Sequence, residues 1–313
     1  MPASLHRDSG VEEGIRHFLE YLRVERNYAA YTLESYRCDL QQFARFLYPR
    51  MADASLPVKL VERSTVGDFV EDLHMRGMKN STVARKLTTL RTFFRFLCRE
   101  GVLAASPTHG VATPEVEQRP RPQLPLEKIE EAIELPATDT FSGARDRAIL
   151  EVFYGGGVRL GELVQLNLSA IDLEKGLLRL GHKGRKGRTV PIGSLALDAL
   201  KTYMQRRAEV LIELDITLVD AGALFLNGRG RRFSRRSIQR IVHSYLHRVV
   251  DGDSLSPHLL RHSFAAHLLH AGADLASVKE MLGHATVVST QAYAEPTLER
   301  LQRVYAKAHP RNE

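Results

Sequence analysis

The residues best suited to chemistry lie in the stretch SPHLLRHSFAAHLLHAG, residues 256–272, which holds four histidines and one arginine. Its apolar spacing, with a serine before the first turn and a glycine after the last, predicts one helix. At 3.6 residues per turn, His258, Arg261 and His262 share one face, and the other two histidines point elsewhere. This face could hold a metal ion, bind an anion such as a phosphate, or belong to a buried helix with satisfied histidines.

The metal site is the weakest of these interpretations, although His258 and His262 have the i, i+4 spacing of helical metal ligands. A zinc-protease helix carries a glutamate after the first histidine, and this chain has Leu259 there. Arg261 would also put a permanent positive charge beside the ion, and two imidazoles leave zinc without a third protein ligand. The residues therefore favour a phosphate site, in which a histidine and an arginine one turn apart contact the anion.

The distribution of charge also favours a polyanionic partner. The 313 residues include 44 Lys and Arg against 37 Asp and Glu, which gives a net charge of +7. Two runs are strongly basic, residues 182–188 and 228–240, and their glycines let the backbone approach a groove. The alternative for these runs is a solvated surface. The candidate DNA contacts come from these two runs and from one predicted helix in the first domain. They are Arg85, Lys86, Arg185, Arg188, Arg235 and Arg236.

The composition argues against a membrane or secreted protein. No apolar run approaches the length that crosses a membrane, and the stretch MPASLHRDSG lacks the apolar core of a signal peptide. Cys38 and Cys98 each fall in an amphipathic helical pattern, as expected of thiols in a reducing compartment. We therefore expect a cytoplasmic protein without a membrane anchor.

The first part of the chain predicts a small all-helical domain over residues 1–105. Four amphipathic helices fall within residues 11–101, and the last of them repeats apolar side chains at helical spacing, at Val83, Leu87, Leu90, Phe94 and Leu97. Residues 106–125 contain five prolines and mixed charges, which predict an extended linker. A linker of this length can hold two domains on opposite sides of a DNA duplex.

Residues 126–313 predict a larger, mainly helical domain with one β-hairpin. The stretch GLLRLGHKGRKGRTVPI alternates apolar and polar residues on both sides of a glycine-rich basic tip at residues 184–187. Helical patterns cover about residues 126–135, 143–155, 159–166, 275–282 and 296–308, and further helices begin at Ser194, Ser234 and Ser256.

Four sequence boxes in this larger domain resemble, in order and spacing, those of the tyrosine site-specific recombinases, the phage-integrase superfamily. They are YGGGVRLGELVQL, LGHKGRKGRTVPI, HLLRH and MLGHATVVSTQAYAEP. The resemblance assigns one set of residues to catalysis, which is Arg159, Lys183, His258, Arg261, His284 and the nucleophile Tyr293. It implies neither a metal nor another cofactor. Gly161 and His182 replace the serine and glycine that are frequent in the family, but no catalytic group is lost.

The resemblance also implies an architecture and partners. The fold would combine an N-terminal four-helix, SAM-like core-binding domain with a C-terminal, mainly α catalytic domain that has a small β-hairpin or sheet. The compact length and the ending VYAKAHPR resemble the Xer group, which implies resolution of chromosome or plasmid dimers at cell division. We therefore expect double-stranded DNA as the substrate, bound in the cytoplasm at the nucleoid. The enzyme would act as a homo- or hetero-tetramer on two DNA sites, alone or with a second Xer-type recombinase.

The residue types fit the cleavage of a phosphodiester. Two arginines can clamp the non-bridging oxygens bidentately, which lysines cannot. A tyrosine phenol has an ordinary pKa of about 10, so it needs a base at neutral pH, and His258 can accept its proton. Lys183 can return a proton to the departing 5′-oxygen, with Lys186 as the competing candidate. His284 can hydrogen-bond the phosphate.

Other functions stay open from the sequence. A type IB topoisomerase shares this chemistry but rejoins the same strand, and a mobile-element integrase shares it with a different target. A DNA-binding protein without catalysis is disfavoured by the complete set of catalytic residue types. The small helical domain favours the recombinase over the topoisomerase.

The last predicted helix carries an apolar stripe at helical spacing, formed by Leu298, Leu301, Val304 and Tyr305. Such a stripe is buried either on its own domain or on another chain. The resemblance to the Xer recombinases favours docking on a neighbouring subunit, in a head-to-tail contact that closes a ring.

Overall fold

The computed structural model describes residues 5–6, 9–47, 56–117, 123–181, 187–213, 219–252, 255–283 and 295–311. The chain divides into two compact units, Met1–Arg119 and Pro120–Glu313. Each unit has its own cluster of buried apolar side chains. None of the helices in the described part of the chain is both long and apolar enough to cross a membrane.

The first unit consists of four helices, as the apolar spacing predicted. They are α1 (Val11–Val24), α2 (Ala30–Leu47), α3 (Arg63–Met75) and α4 (Asn80–Arg99). Their core includes several phenylalanine rings, and some pairs of these rings meet edge to face. The centroids of Phe18 and Phe93 are 5.6 Å apart, and those of Phe43 and Phe69 are 5.1 Å apart. Both arrangements fall within the separation at which aromatic pairs attract beyond their buried area.

Residues 106–117, the described first part of the predicted linker, contact the helical unit through backbone carbonyls. Arg63 on α3 donates to the carbonyl of Gly110 at 2.7 Å, and Arg91 on α4 donates to that of Val111 at 2.7 Å. The side-chain amide of Asn80 donates to the Glu115 carbonyl at 2.9 Å. The boundary between the two units falls after Arg119, inside the range predicted for the linker.

The second unit surrounds a three-stranded antiparallel sheet with helices. The strands are β1 (Ile171–Asp172), β2 (Leu177–Leu180) and β3 (Arg188–Pro191), in that order, with Leu180 opposite Arg188. β2 and β3 are the two arms of the predicted hairpin, and β1 is a two-residue strand that the sequence pattern did not indicate. The helices are α5 (Leu126–Glu134), α6 (Phe141–Gly156), α7 (Leu160–Gln165), α8 (Ser194–Glu213), α9 (Arg235–Leu246), α10 (Pro257–His270), α11 (Leu275–Leu282) and α12 (Glu295–Ala308).

Helix α6 forms the centre of this unit, because nearly all of its residues are buried. The Thr140 hydroxyl caps its start by accepting from the Gly143 N–H at 3.0 Å. The helix ends at Gly157, which has a left-handed φ of 55°. A Cβ at that position would lie 2.5 Å from the Phe264 ring of α10, so only glycine allows this close packing. The turn leads the chain directly to Arg159.

Helix α12 packs on its own unit. Leu301 and Tyr305, from the predicted apolar stripe, are fully buried there, and the Tyr305 hydroxyl accepts from the Gly193 N–H at 3.0 Å. The residues after the helix continue this contact, since Arg311 donates to Glu151 of α6 at 2.6 Å and both side chains are buried. In this single chain the stripe therefore packs on its own domain, the first of the two arrangements considered.

We expect Arg311→Ala to reduce the free energy of unfolding of the second unit by roughly 3–5 kcal/mol, because it leaves the buried Glu151 carboxylate without its cation. Arg300→Ala is the matched control on the same segment. Its pair with Glu280 at 2.8 Å is partly exposed, so the loss should stay below about 1 kcal/mol. Urea unfolding of both variants measures the difference, and equal losses would contradict a buried anchor at Arg311.

Candidate active site

Arg159 is fixed at the start of α7 and is still reachable from solvent. Its backbone N–H donates to the Glu162 carboxylate at 2.7 Å, and its guanidinium donates to the same carboxylate at 3.0 Å. The remaining Nη2 group donates to the carbonyl of Gly283 at 2.8 Å. The side chain is nevertheless 38% exposed. Part of the guanidinium is therefore held by protein groups while the rest is accessible to a ligand.

Arg261 projects from α10 into the same region and is buried. Its guanidinium donates to the carbonyls of Gly157 and Leu282. Burial lowers the pKa of Arg261 to about 10, and the positive charges of Arg159 and Arg188 lower it in the same direction. The side chain stays cationic at neutral pH. The part of this lowering that comes from Arg159 and Arg188 reflects an excess of positive charge around the side chain.

Three arginines from three elements converge on the C-terminal turn of α11. Arg188 of β3 donates to the carbonyl of Met281 at 2.8 Å, and Arg261 and Arg159 donate to the next two carbonyls along the chain. The last carbonyls of a helix have no partner within the helix and carry partial negative charge. These carbonyls therefore hold together three cations that would otherwise repel one another.

Among the described residues, Glu162 supplies the one negative charge that pairs with these arginines. Burial opposes its ionisation, but the hydrogen bonds and charge of Arg188, together with Arg159, outweigh burial and lower the pKa of the carboxyl. With three guanidinium groups and one carboxylate, the cluster carries a charge of two positive units. Sequence reasoning missed Glu162, although its position three residues after Arg159 is the spacing of a capping box.

The histidines of α10 separate as the helical spacing predicted. His258 lies one turn before Arg261 and is exposed, and His262 is partly buried. His267 faces the core, where its Nδ1 lies 2.8 Å from the Tyr154 hydroxyl. Burial lowers the pKa of His267 and raises that of Tyr154, as expected of core residues. No group of three or more His, Cys, Asp or Glu side chains in the described ranges could hold a metal ion.

The arginines at the start of α9 lie beside α7. Arg235 and Arg236 are both exposed. The Arg235 guanidinium lies where a side chain at residue 161 would extend, since a Cβ on Gly161 would be 2.9 Å from Nη2. The glycine that replaces the family's frequent serine thus makes room for a fourth guanidinium near Arg159.

Two predicted DNA contacts have a different environment from the one expected. Lys86 and Arg188 are each only 8% exposed, and both form ion pairs with buried or partly buried carboxylates, Asp39 and Glu162 respectively. Burial and pairing leave neither side chain open to a phosphate, which argues against the predicted DNA contacts at both positions. Arg85 also pairs with Asp39, but its side chain is 49% exposed.

Four of the predicted site residues, Lys183, Arg185, His284 and Tyr293, lie outside the described residues. The structure therefore brings together Arg159 and Arg261 from the predicted catalytic set, with His258 on the same helix as Arg261.

Comparison with known proteins extends over nearly the whole chain. The sequence matches the Phage integrase family over residues 123–300, and the Phage integrase N-terminal SAM-like domain over residues 15–101. The chain is 40% identical over 299 residues to the tyrosine recombinase XerC of Pelotomaculum thermopropionicum, covering 95% of this chain and 98% of the relative. It is also 40% identical over 299 residues to the XerC of Pelobacter propionicus, covering 96% of each.

Solved structures share the fold at lower identity. The XerH site-specific recombinase bound to palindromic difH substrate, a post-cleavage complex, has a TM-score of 0.69 at 19% identity, covering 97% of this chain and 94% of that one. The Tn1549 transposon integrase in complex with transposon right end DNA has a TM-score of 0.66 at 17% identity, covering 92% and 98%. Given the matched domains and the 40% identity to curated XerC proteins, the chain belongs to the phage integrase family of tyrosine recombinases, enzymes of site-specific DNA strand cleavage and rejoining, and is XerC-like.

Proposed function

We propose that the enzyme cleaves one DNA strand with Tyr293 as the nucleophile, holds it as a 3′-phosphotyrosyl ester, and passes it to the 5′-hydroxyl of another duplex. One observation carries this proposal. Arg159 and Arg261, from separate helices, are anchored on adjacent carbonyls, those of Gly283 and Leu282. Both carbonyls belong to the sequence box that also holds His284 and Tyr293.

In this mechanism the two arginines act on the scissile phosphate. Arg159 is held by the Gly283 carbonyl and the Glu162 carboxylate, and its side chain is partly exposed. Its remaining N–H groups can therefore donate to the non-bridging oxygens as negative charge develops on them. Arg261 adds positive charge from a buried position, where electrostatic interactions are stronger than in water. Because the cluster carries excess positive charge, it favours the phosphodiester over neutral ligands.

The remaining catalytic residues transfer protons or donate hydrogen bonds. His258, one turn from Arg261 and exposed, accepts the phenol proton of Tyr293. Lys183 gives a proton to the departing 5′-oxygen, and His284 hydrogen-bonds the phosphate. The phosphotyrosyl ester keeps the energy of the broken bond, so rejoining consumes no ATP. Arg159 and Arg261 supply the positive charge that a metal ion provides in other phosphoryl-transfer enzymes.

The partner in this proposal is double-stranded DNA. Exposed Arg235 and Arg236 beside α7, Arg85 in the first unit and Arg185 of the basic run would contact phosphates. The XerH and Tn1549 integrase structures are complexes with DNA, which supports this choice of partner. Residues 1–105 would act as the core-binding domain, joined by the linker at 106–125 to a catalytic domain at 126–313.

The assembly would be a homo- or hetero-tetramer on two DNA sites, formed alone or with a second Xer-type recombinase. The role would be the resolution of chromosome or plasmid dimers at cell division, in the cytoplasm at the nucleoid. The similarity to curated XerC proteins supports this role over a mobile-element function.

The first test of this function is covalent capture of DNA. On a nicked suicide substrate, the protein should form a protein–DNA adduct that survives EDTA, and Tyr293→Phe should abolish the adduct while DNA binding is kept, because only a hydroxyl is removed. Tyr31→Phe, on an exposed residue of the first unit, is the control and should form the adduct normally. An adduct that persists in Tyr293→Phe would refute the assignment.

A second test concerns the two arginines. Arg159→Lys and Arg261→Lys keep the charge but lose the planar pair of donors, so cleavage of the suicide substrate should fall by about a hundredfold or more. Arg206→Lys, on the exposed pair with Glu209 in α8, should leave the rate unchanged. Near-normal cleavage by either active-site variant would contradict the phosphate clamp.

A third test identifies the general acid. Loss of cleavage in Lys183→Ala should be restored by a substrate with a 5′-thiolate leaving group, because a thiolate departs without a proton. Lys186→Ala is the control and should need no such restoration. If Lys186→Ala is restored and Lys183→Ala is not, the acid is Lys186.

A further inference from the structure

Arg188 is a buried arginine that the proposed mechanism does not use. It is the first residue of β3, and only 7% of its side chain is exposed. All three nitrogens of its guanidinium donate to protein oxygens. Nε donates to the Met281 carbonyl at 2.8 Å, and Nη1 and Nη2 donate to the two oxygens of Glu162, the latter at 2.9 Å. Since bidentate pairing orients both partners, the geometry around Arg188 is closely defined.

These contacts connect Arg188 to both arginines of the clamp. Glu162, its carboxylate partner, also binds the backbone N–H and guanidinium of Arg159. Met281, its carbonyl partner, precedes the two residues whose carbonyls accept from Arg261 and Arg159. The sheet, α7 and the end of α11 are thus joined by one side chain.

Gly283 fits against Arg188 in a way that another residue would disturb. Its φ is +62°, in the left-handed region. A Cβ on Gly283 would lie 2.9 Å from both Cδ and Nη1 of Arg188. The arginine therefore packs on the residue whose carbonyl accepts from Arg159.

We propose that Arg188 is a positioning residue of the recombination reaction, which holds Glu162 and the end of α11 so that Arg159 and Arg261 keep the spacing needed to clamp the phosphate. This inference rests on the proposed function. It assigns to Arg188 an effect on cleavage that is transmitted through Arg159, without contact between Arg188 and the DNA.

The number of acceptor positions on Glu162 explains the need for Arg188. A carboxylate offers about four lone-pair sites. In this structure Glu162 accepts four hydrogen bonds, two from Arg188 and two from Arg159. Without Arg188, half of these sites would be empty and the carboxylate would compete with the phosphate for further N–H groups of Arg159. Arg188 therefore keeps Arg159 donors available for substrate.

The test is single-turnover cleavage by Arg188→Met, measured beside DNA affinity and melting temperature. Methionine preserves an unbranched apolar stem but removes the charge and all donors. We expect cleavage to fall by about a hundredfold, as for loss of a transition-state donor, with the Kd for DNA within about threefold of the unaltered enzyme. Arg179→Met is the matched control, since Arg179 is an exposed arginine of β2 with one bond to the Ser169 carbonyl. It should cleave at the unaltered rate.

Coupling distinguishes positioning from a general loss of structure. If Arg188 acts through Arg159, then Arg188→Met should cause little further loss in an Arg159→Ala background, because residues that act as a unit are non-additive. A general folding defect would multiply the two losses. Should Arg188→Met fail to fold, Arg188→Lys, which keeps a cation beside Glu162, provides the same comparison with a smaller expected loss of about tenfold.

Three results would overturn the role of Arg188. They are an unaltered cleavage rate in Arg188→Met, a loss that lies wholly in DNA affinity, and a loss that is fully retained in the Arg159→Ala background. Failure of the proposed function has a separate signature, namely no adduct with the unaltered enzyme, or an adduct that persists in Tyr293→Phe. In that case the positioning role falls with it.

Discussion

The site depends on one interaction, the capture of three successive carbonyls at the end of α11 by three arginines. Guanidinium groups repel at short range, and each loses hydration when buried, as the lowered pKa of Arg261 shows. The partial negative charge of a helix C-terminus and the carboxylate of Glu162 offset this repulsion. The cluster keeps an excess of positive charge, and a phosphodiester is the kind of ligand that neutralises it.

The need to bring backbone carbonyls close to these arginines explains why glycines lie where the elements meet. Gly157 ends α6 in a left-handed turn against the Phe264 ring, and its carbonyl accepts from Arg261. Gly283 ends α11 in the same conformation under Arg188. A Cβ would collide with the Phe264 ring at the first position and with Arg188 at the second. The glycines therefore let the ends of two helices and the start of a strand approach closely enough for their backbone oxygens to be shared among the arginines.

Much of this arrangement follows from sequence patterns, because each pattern describes residues close together in the chain. Apolar spacing predicted the helices and the two arms of the hairpin. The four boxes predicted Arg159 and Arg261 as site residues, and the structure places both on adjacent carbonyls. The partners of buried charges were not predictable in this way. Arg188 and Lys86 resembled surface cations, and each is buried because a carboxylate from another helix faces it, at Glu162 and Asp39. Likewise, the apolar stripe of α12 predicted burial but not which surface would cover it.

The two units share one electrostatic arrangement, although their folds differ. In the first unit, buried Asp39 binds the buried ammonium of Lys86 at 2.8 Å and the half-exposed guanidinium of Arg85. Burial opposes its ionisation, but the hydrogen bonds from both cations lower the pKa of Asp39 overall. In the second unit, Glu162 binds buried Arg188 and part-exposed Arg159 in the same way. In each case the buried cation balances the carboxylate, and the more exposed arginine is oriented by its ion pair and keeps a net positive charge at the surface.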